Sequence, residues 1–133
     1  MISPRYAREI PQRYRLEASK CTGCSKIYFP PRLVCTVCSS REFETIRLSD
    51  EGKILTYTII RLGSDTFSHE TPYAVAIIEV NDGARLMAMI TDSDLDKIAI
   101  GNKVKLIFRK IQDEGVSGLH CYGYKAIIVQ NNN

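Results

Sequence analysis

Apolar and polar residues alternate through most of the second half of the chain, a pattern that predicts β-strands. Five segments carry this alternation or a run of β-branched and aromatic residues, at residues 53–60, 73–80, 85–91, 103–108 and 119–129. Asn81-Asp82-Gly83 separates the second segment from the third, which is typical of a β-hairpin. Ser93 or Asp94 can cap a short helix between the third and fourth segments. This order of elements predicts a small Greek-key barrel, the OB-fold.

The first part of the chain has a different pattern. Residues 4–18 are rich in charged side chains, with apolar or aromatic side chains spaced loosely at helical intervals. Pro11 lacks the amide that a helix interior needs, so we expect it to interrupt any helix there. One or two short N-terminal helices are therefore predicted.

Four of the five cysteines lie within one window, at Cys21, Cys24, Cys35 and Cys38. Two Cys-x2-Cys pairs around a short loop have the spacing of a tetrahedral four-thiolate metal site. Because protein atoms fill all four positions, we expect a structural site with one zinc ion per chain. Iron in the same geometry would give a rubredoxin-like electron carrier, and the sequence leaves that alternative open.

Together these patterns predict a mainly β protein in three parts. Short helices occupy an N-terminal segment (residues 1–18), a four-cysteine zinc ribbon follows (residues 19–46), and a five-stranded OB-fold barrel completes the chain (residues 47–130). A ribbon of this size is expected to need its metal in order to fold.

Composition limits the class of protein. The chain has 133 residues, of which 44% are hydrophobic and 25% charged, as in ordinary globular domains. No apolar run approaches the roughly 18–20 residues of a membrane span. Residues 1–20 carry several charges and no apolar stretch, so we expect no secretory signal and a cytoplasmic location. The cytosol keeps thiols reduced, which argues against a disulfide framework.

The net charge of +3 is unevenly distributed, with a basic front and a slightly acidic remainder. Such a front suits an anionic partner, but a solvated surface explains it equally well. Four thiolates around one zinc ion would bring the net charge closer to +1, which weakens the first interpretation.

Catalytic patterns are scarce. The sequence has no Gly-rich phosphate loop, no Gly-x-Ser-x-Gly and no His-Glu-x-x-His. A small enzyme using Cys121 and His120 is one hypothesis, but neighbouring residues of a strand point to opposite faces. Cys121 is explained more simply as a buried apolar side chain. We therefore expect a protein without catalytic residues.

A single-stranded nucleic-acid module is the alternative function. OB-folds bind single strands through aromatic side chains and nearby cations. The predicted strands and their flanks offer candidates of both kinds: Tyr57, Tyr73, Tyr122, Tyr124, Arg61, Arg85, Arg109 and Lys125. The barrel segment is net acidic, however, which disfavours a phosphate-tracking surface.

Several segments together resemble a known family. They are residues 15–24 (RLEASKCTGC), 27–32 (IYFPPR), 52–58 (GKILTYT), 72–76 (PYAVA), 100–104 (IGNKV) and 122–125 (YGYK). Over residues 13–128 the chain resembles the acyl-CoA-associated OB-fold family with an N-terminal rubredoxin-like zinc ribbon, formerly a domain of unknown function. Some ribbons of that family have glycine directly after each knuckle, where this chain has Ser25 and Ser39.

The resemblance implies a non-catalytic accessory or scaffold protein. Such proteins accompany thiolase-type enzymes, and some bridge a thiolase to 3-hydroxy-3-methylglutaryl-CoA synthase. It also implies CoA or acyl-CoA as a ligand, whose phosphates need cations and whose pantetheine arm needs an apolar groove. Arg32 is our first candidate for the phosphates, followed by Arg61 and Lys125. Tyr28 and Phe29 are candidates to line the groove, the alternative being that they pack the ribbon on the barrel.

Overall fold

The computed structural model describes residues 4–113 and 120–129. One helix and eight strands follow each other there: α1 (Pro4–Tyr14), β1 (Glu17–Cys21), β2 (Ile27–Tyr28), β3 (Phe43–Arg47), β4 (Glu51–Ile60), β5 (Tyr73–Val80), β6 (Arg85–Ile90), β7 (Lys103–Asp113) and β8 (His120–Ile128). Short 3-10 turns occupy Ser68–Glu70 and Leu95–Lys97. The predicted mainly β fold is confirmed, including a short helical turn between the third and fourth strands of the barrel.

Helix α1 runs through Pro11, so the expectation that this proline interrupts any helix is wrong. Pro11 is exposed, and water can bind the carbonyl group that its missing amide leaves without a partner. The helix continues beyond the proline, and the Arg15 amide donates to the Pro11 carbonyl over 3.2 Å. Glu9 also joins the turns on either side, because it accepts hydrogen bonds of 3.0 Å from both Arg5 and Arg13.

The ribbon is built on a three-stranded antiparallel sheet in the order β2-β1-β3. Leu16 connects it to the helix and to the barrel. This residue adopts a left-handed conformation (φ 50°) where α1 ends, and its side chain is buried in the core of the barrel. Its carbonyl accepts the amide of Leu48 over 2.9 Å. The start of the ribbon sheet, including Ala18, therefore shares the core of the barrel.

The remaining five strands close into a barrel in the order β4-β5-β6-β8-β7, as the sequence predicted. Residues of β5 alternate between half-buried and buried, with every second side chain inside. Small inward side chains on three strands stand among larger ones, and this mixture fills a narrow barrel. The small ones are Ala74, Ala76, Ala88 and Ala126, and the larger ones include Ile54, Ile78, Val80 and Val104.

Closure of the barrel depends on a narrow contact. Among the described residues, strands β6 and β8 are parallel and pair only at Ile90 and Ala126, whereas β7 and β8 form a long antiparallel hairpin. Strand β7 reaches Asp113, five residues beyond its predicted end. Apart from that residue, the turn predicted at 113–118 lies outside the described residues.

The division of the chain at residues 18 and 46 stays a prediction. Within the described ranges, no helix is both long and apolar enough to cross a membrane.

Candidate metal centre

Two cysteine pairs meet beside the ribbon sheet. Cys21 ends β1 and Cys24 follows in the next turn, while Cys35 and Cys38 come from the loop between β2 and β3. The four sulfur atoms lie within 4.8 Å of one another, with 3.4 Å between those of Cys21 and Cys38 and 3.4 Å between those of Cys24 and Cys35. A tetrahedral zinc ion with bonds of about 2.3 Å separates its sulfur ligands by about 3.8 Å. The structure thus brings together the four ligands expected from the sequence, with a spacing that fits a metal ion.

Both knuckles have the same backbone geometry. The Ser25 amide donates to the Cys21 carbonyl over 2.9 Å, and the Ser39 amide donates to the Cys35 carbonyl over 3.0 Å. The amide of each of these two cysteines donates in turn to the carbonyl five residues later, over 2.9 Å in both knuckles. Ser25 and Ser39 have φ angles of 62° and 59°, which lie in the left-handed region that favours glycine. The knuckles therefore close in the same way although serine replaces glycine.

The cysteine thiols differ in pKa because each sulfur has different hydrogen-bond partners. The Cys38 amide and then the Tyr28 hydroxyl donate to the Cys35 sulfur, and they lower the pKa of that thiol to about 5. The Ser40 amide acts in the same direction on Cys38, but the Cys21 thiol, burial and the Cys35 thiol outweigh it and raise the pKa of Cys38 to about 12. Without a metal the cluster holds protons on some sulfurs, and a cation that binds there displaces them.

Tyr28 stabilises the second knuckle (residues 35–40) through contacts with Cys35 and Thr36. Its side chain is buried, and its hydroxyl lies 3.3 Å from the Cys35 sulfur and 2.8 Å from the Thr36 hydroxyl. The same oxygen accepts the Thr36 amide over 3.0 Å. The role of Thr36 was not found from the sequence, because its place inside a Cys-x2-Cys loop accepts almost any residue.

Three of the five CoA candidates come together in the ribbon. The Arg32 guanidinium lies 5.4 Å from the centre of the Tyr28 ring, and the Arg32 amide donates to the buried Ser19 hydroxyl over 3.2 Å. Phe29 is half-buried and packs against the barrel core. The packing expected as the alternative role of Phe29 is therefore present.

The other two candidates lie on the barrel. Arg61 is exposed directly after β4. Lys125 is buried on β8, and its ammonium lies 3.3 Å from the Glu70 carboxylate in the loop between β4 and β5. Among the described residues, no hydrogen bond or ion pair joins Arg61 or Lys125 to the ribbon candidates. The assignment of the five residues to one CoA site stays a prediction.

A groove of about 560 Å³ runs between α1, the ribbon and the barrel. Its walls are mainly aromatic and aliphatic, with polar side chains from α1 at one side. The main apolar lining residues are Tyr14, Phe29, Leu86, Met87, Tyr122 and Tyr124. The sequence did not reveal this groove, because it joins α1 to a strand more than 100 residues later.

Two family models match consecutive parts of the chain. The rubredoxin-like zinc ribbon domain of ChsH2 matches residues 8–44, and the C-terminal OB-fold domain of ChsH2 matches residues 45–109. A DUF35 domain-containing scaffold protein of Methanothermobacter thermautotrophicus is 42% identical over 119 residues, which are 89% of this chain and 90% of that protein. The chain belongs to the DUF35 family. The family resemblance expected from the sequence is thus confirmed.

Other DUF35 relatives carry the names of enzyme subunits. Benzoylsuccinyl-CoA thiolase subunit BbsA of Geobacter metallireducens is 28% identical over 97 residues, which are 73% of this chain and 64% of that one. A solved structure entitled Ltp2-ChsH2(DUF35) aldolase matches with a TM-score of 0.70 and 27% identity, and covers 91% of this chain and 89% of its own. The family thus includes proteins named as scaffolds and proteins named as subunits of enzymes.

Proposed function

We propose that this DUF35 protein is a non-catalytic accessory subunit that bridges or supports a thiolase-type enzyme. The observation that carries the proposal is the match over almost its whole length to a protein named as a scaffold. Relatives named as a thiolase subunit and an aldolase complex indicate the class of enzyme.

The metal of the ribbon is, in this proposal, a single structural zinc ion. Four thiolates leave no coordination position for water or substrate. Cys21, Tyr28 and Cys35 form a small separate core, with Phe43 packed against it. So few apolar side chains cannot hold a fold alone, and the metal supplies the missing stability. A rubredoxin-like iron site is the alternative, and elemental analysis separates the two.

CoA or acyl-CoA is the proposed ligand, bound beside the ribbon. Phe29 lines the groove that would hold the apolar arm, and Arg32 offers a cation on the same segment. Tyr28 is buried, with its hydroxyl 2.8 Å from that of Thr36. Lys125 would have to leave Glu70 to contact a phosphate, and Arg61 lies on the barrel. Phe29 and Arg32 are therefore the first pair to test. The proposal includes 3-hydroxy-3-methylglutaryl-CoA synthase as a second partner enzyme. It also places this protein in the cytoplasm.

The structure does not favour the nucleic-acid alternative. Tyr57 packs against the barrel core, and Tyr124 is hydrogen-bonded to α1. Of the proposed cations, Arg85 pairs with Glu79 over 3.2 Å, and Lys125 pairs with a carboxylate as described above. Side chains engaged in this way are poorly placed to stack on bases or to track phosphates.

Affinity purification from native cells, with nuclease added, tests the proposal. Mass spectrometry should find a thiolase-type enzyme in stoichiometric amount at about 0.2 M salt, where exposed charge contacts are screened. Calorimetry with CoA, on the complex and on the chain alone, then locates the ligand. A chain that purifies alone, or only with nucleic acid when nuclease is omitted, would contradict the proposal.

A further inference from the structure

The second knuckle carries an exposed apolar surface. Leu33 and Val34 directly precede Cys35, and Val37 lies between Cys35 and Cys38. Leu33, Val34 and Val37 are 87%, 43% and 64% exposed. We call these three residues the ribbon tip. A cluster of exposed aliphatic side chains is costly in water and commonly marks an interaction site.

The ribbon tip is held rigidly. The Thr36 amide is bonded to the buried Tyr28 hydroxyl, and the Ser39 amide is bonded to the Cys35 carbonyl. A metal ion would fix the same loop through two of its four ligands. Binding through a preorganised loop loses little conformational entropy, so its apolar side chains can serve efficiently as anchors.

Apart from the cysteine thiolates, the charged side chains of the segment that carries the ribbon tip are all cations. Residues 22–41 contain Lys26, Arg32 and Arg41 and no aspartate or glutamate. Lys26 and Arg32 each lie 5.4 Å from the centre of the Tyr28 ring. The segment that carries the ribbon tip thus combines exposed aliphatic side chains with cations, which is complementary to an apolar pocket with a rim of carboxylates.

We propose that the ribbon tip inserts into an apolar pocket with an acidic rim on the thiolase-type enzyme. This inference rests on the proposed function and assigns the face of the chain that touches the enzyme. Leu33 and Val37, the two most exposed members, enter the pocket, and Lys26 and Arg41 approach its rim. The groove beside α1 stays outside this contact and open to a ligand.

The first experiment compares apolar variants against the enzyme identified by the affinity purification and then purified separately. Calorimetry without CoA should show that the double variant Leu33→Ser/Val37→Ser binds at least about tenfold more weakly than the unchanged chain. The matched control is Leu62→Ser, because Leu62 is 95% exposed on the barrel. Its affinity should change less than about twofold, and zinc content and circular dichroism should stay the same in every variant.

The second experiment reverses charge at the rim. Lys26→Glu/Arg41→Glu should slow association and flatten its dependence on salt, while Lys103→Glu on β7 should change neither. Arg32 is left unchanged because it is a candidate for CoA. The combination of weakened binding by the apolar variant and slowed association by the charge variant supports the inference.

Three outcomes would overturn it. Unchanged affinity of Leu33→Ser/Val37→Ser with a full zinc content would exclude the ribbon tip as the contact and leave the proposed function intact. Failure to recover any thiolase-type enzyme would remove both proposals. A dimer that dissociates in this variant but not in Leu62→Ser, or an oligonucleotide that the charge variant releases, would assign the ribbon tip to a second copy or to nucleic acid.

Discussion

The hydroxyl of Tyr124 donates a hydrogen bond of 2.7 Å to the backbone carbonyl of Tyr14, 110 residues earlier in the chain. Tyr14 is the last residue of α1, where helical carbonyls lack partners within the helix. The Phe108 ring lies between the two tyrosines, with its centre 4.9 Å from that of Tyr14 and 5.6 Å from that of Tyr124. One side chain of the barrel thus fixes the end of the N-terminal helix and one wall of the groove.

Tyr124→Phe should loosen α1 without disturbing the barrel. It removes the hydroxyl but keeps the ring, so we expect the free energy of unfolding to fall by about 1 kcal/mol. Urea unfolding measures this change, and hydrogen exchange should show faster exchange in α1. Tyr122→Phe is the matched control, because the Tyr122 ring stacks on Phe108 at 5.5 Å without a hydrogen bond from its hydroxyl to a described residue. Equal losses in both variants would contradict the assigned role.

The sequence predicted those features that depend on local spacing. The two Cys-x2-Cys pairs indicated the metal ligands, and alternation indicated the barrel strands. The prediction that Pro11 interrupts the helix was wrong because the helix propensity of one residue takes no account of its neighbours. Here the helix continues on both sides of Pro11, and its last carbonyl is hydrogen-bonded to β8. Local preference is a weak guide where tertiary contacts oppose it.

Contacts between residues far apart in the chain could not be predicted from a single sequence. Lys125 is a phosphate candidate from the sequence, and nothing in the pattern indicates that it is buried beside Glu70. The groove likewise needs Tyr14 and Tyr124 side by side, which only the closed barrel achieves. The resemblance supplied the ligand class as an expectation, but it could not show which of the five candidates are neighbours.

Zinc binding should release about two or three protons per chain at pH 7. The pKa of Cys35 is lowered to about 5, so that sulfur is already a thiolate, whereas the pKa of Cys38 is raised to about 12 and its proton must leave. The pKa of Cys24 is also raised, because the Cys35 thiol and burial outweigh the Lys26 amide. The Cys24 amide lowers the pKa of Cys21.

Calorimetry in buffers of different ionisation enthalpy measures the released protons. Lower pH adds protons that zinc must displace, so the affinity should fall as the pH falls from 8 to about 5. Below the pKa of Cys35 the last thiolate is lost as well. An affinity that does not vary with pH would contradict binding through four thiolates.

Glycine at the two left-handed serines should stabilise the metal-loaded ribbon. A left-handed conformation costs an L-residue about 1–2 kcal/mol, and glycine avoids most of that cost but adds entropy to the unfolded chain. We therefore expect Ser25→Gly and Ser39→Gly each to raise the free energy of unfolding by up to about 1 kcal/mol. Thermal unfolding of the zinc-loaded protein measures it. Ser25→Ala is the control and should give no gain; a gain there would point to loss of the hydroxyl instead.

Gly52→Ala should destabilise the barrel strongly. Gly52 stands on β4 between Val80 of β5 and Val104 of β7. A Cβ atom there would collide with the Glu79 carbonyl oxygen and lie 2.9 Å from the Val80 Cα, and backbone atoms of a paired strand cannot easily move away. We expect a loss of about 2 kcal/mol or more, as for overpacking in a core.

Lys53→Ala is the matched control for Gly52→Ala, because it changes the next residue of the same strand. The Lys53 ammonium is exposed and lies 3.9 Å from the Glu79 carboxylate, an ion pair that contributes less than about 1 kcal/mol. Urea unfolding should therefore separate the two variants clearly, with the alanine at position 52 far less stable. If the two variants unfold at the same urea concentration, strand β4 can move away from β5 at this point, and the close approach does not explain why glycine occupies the position.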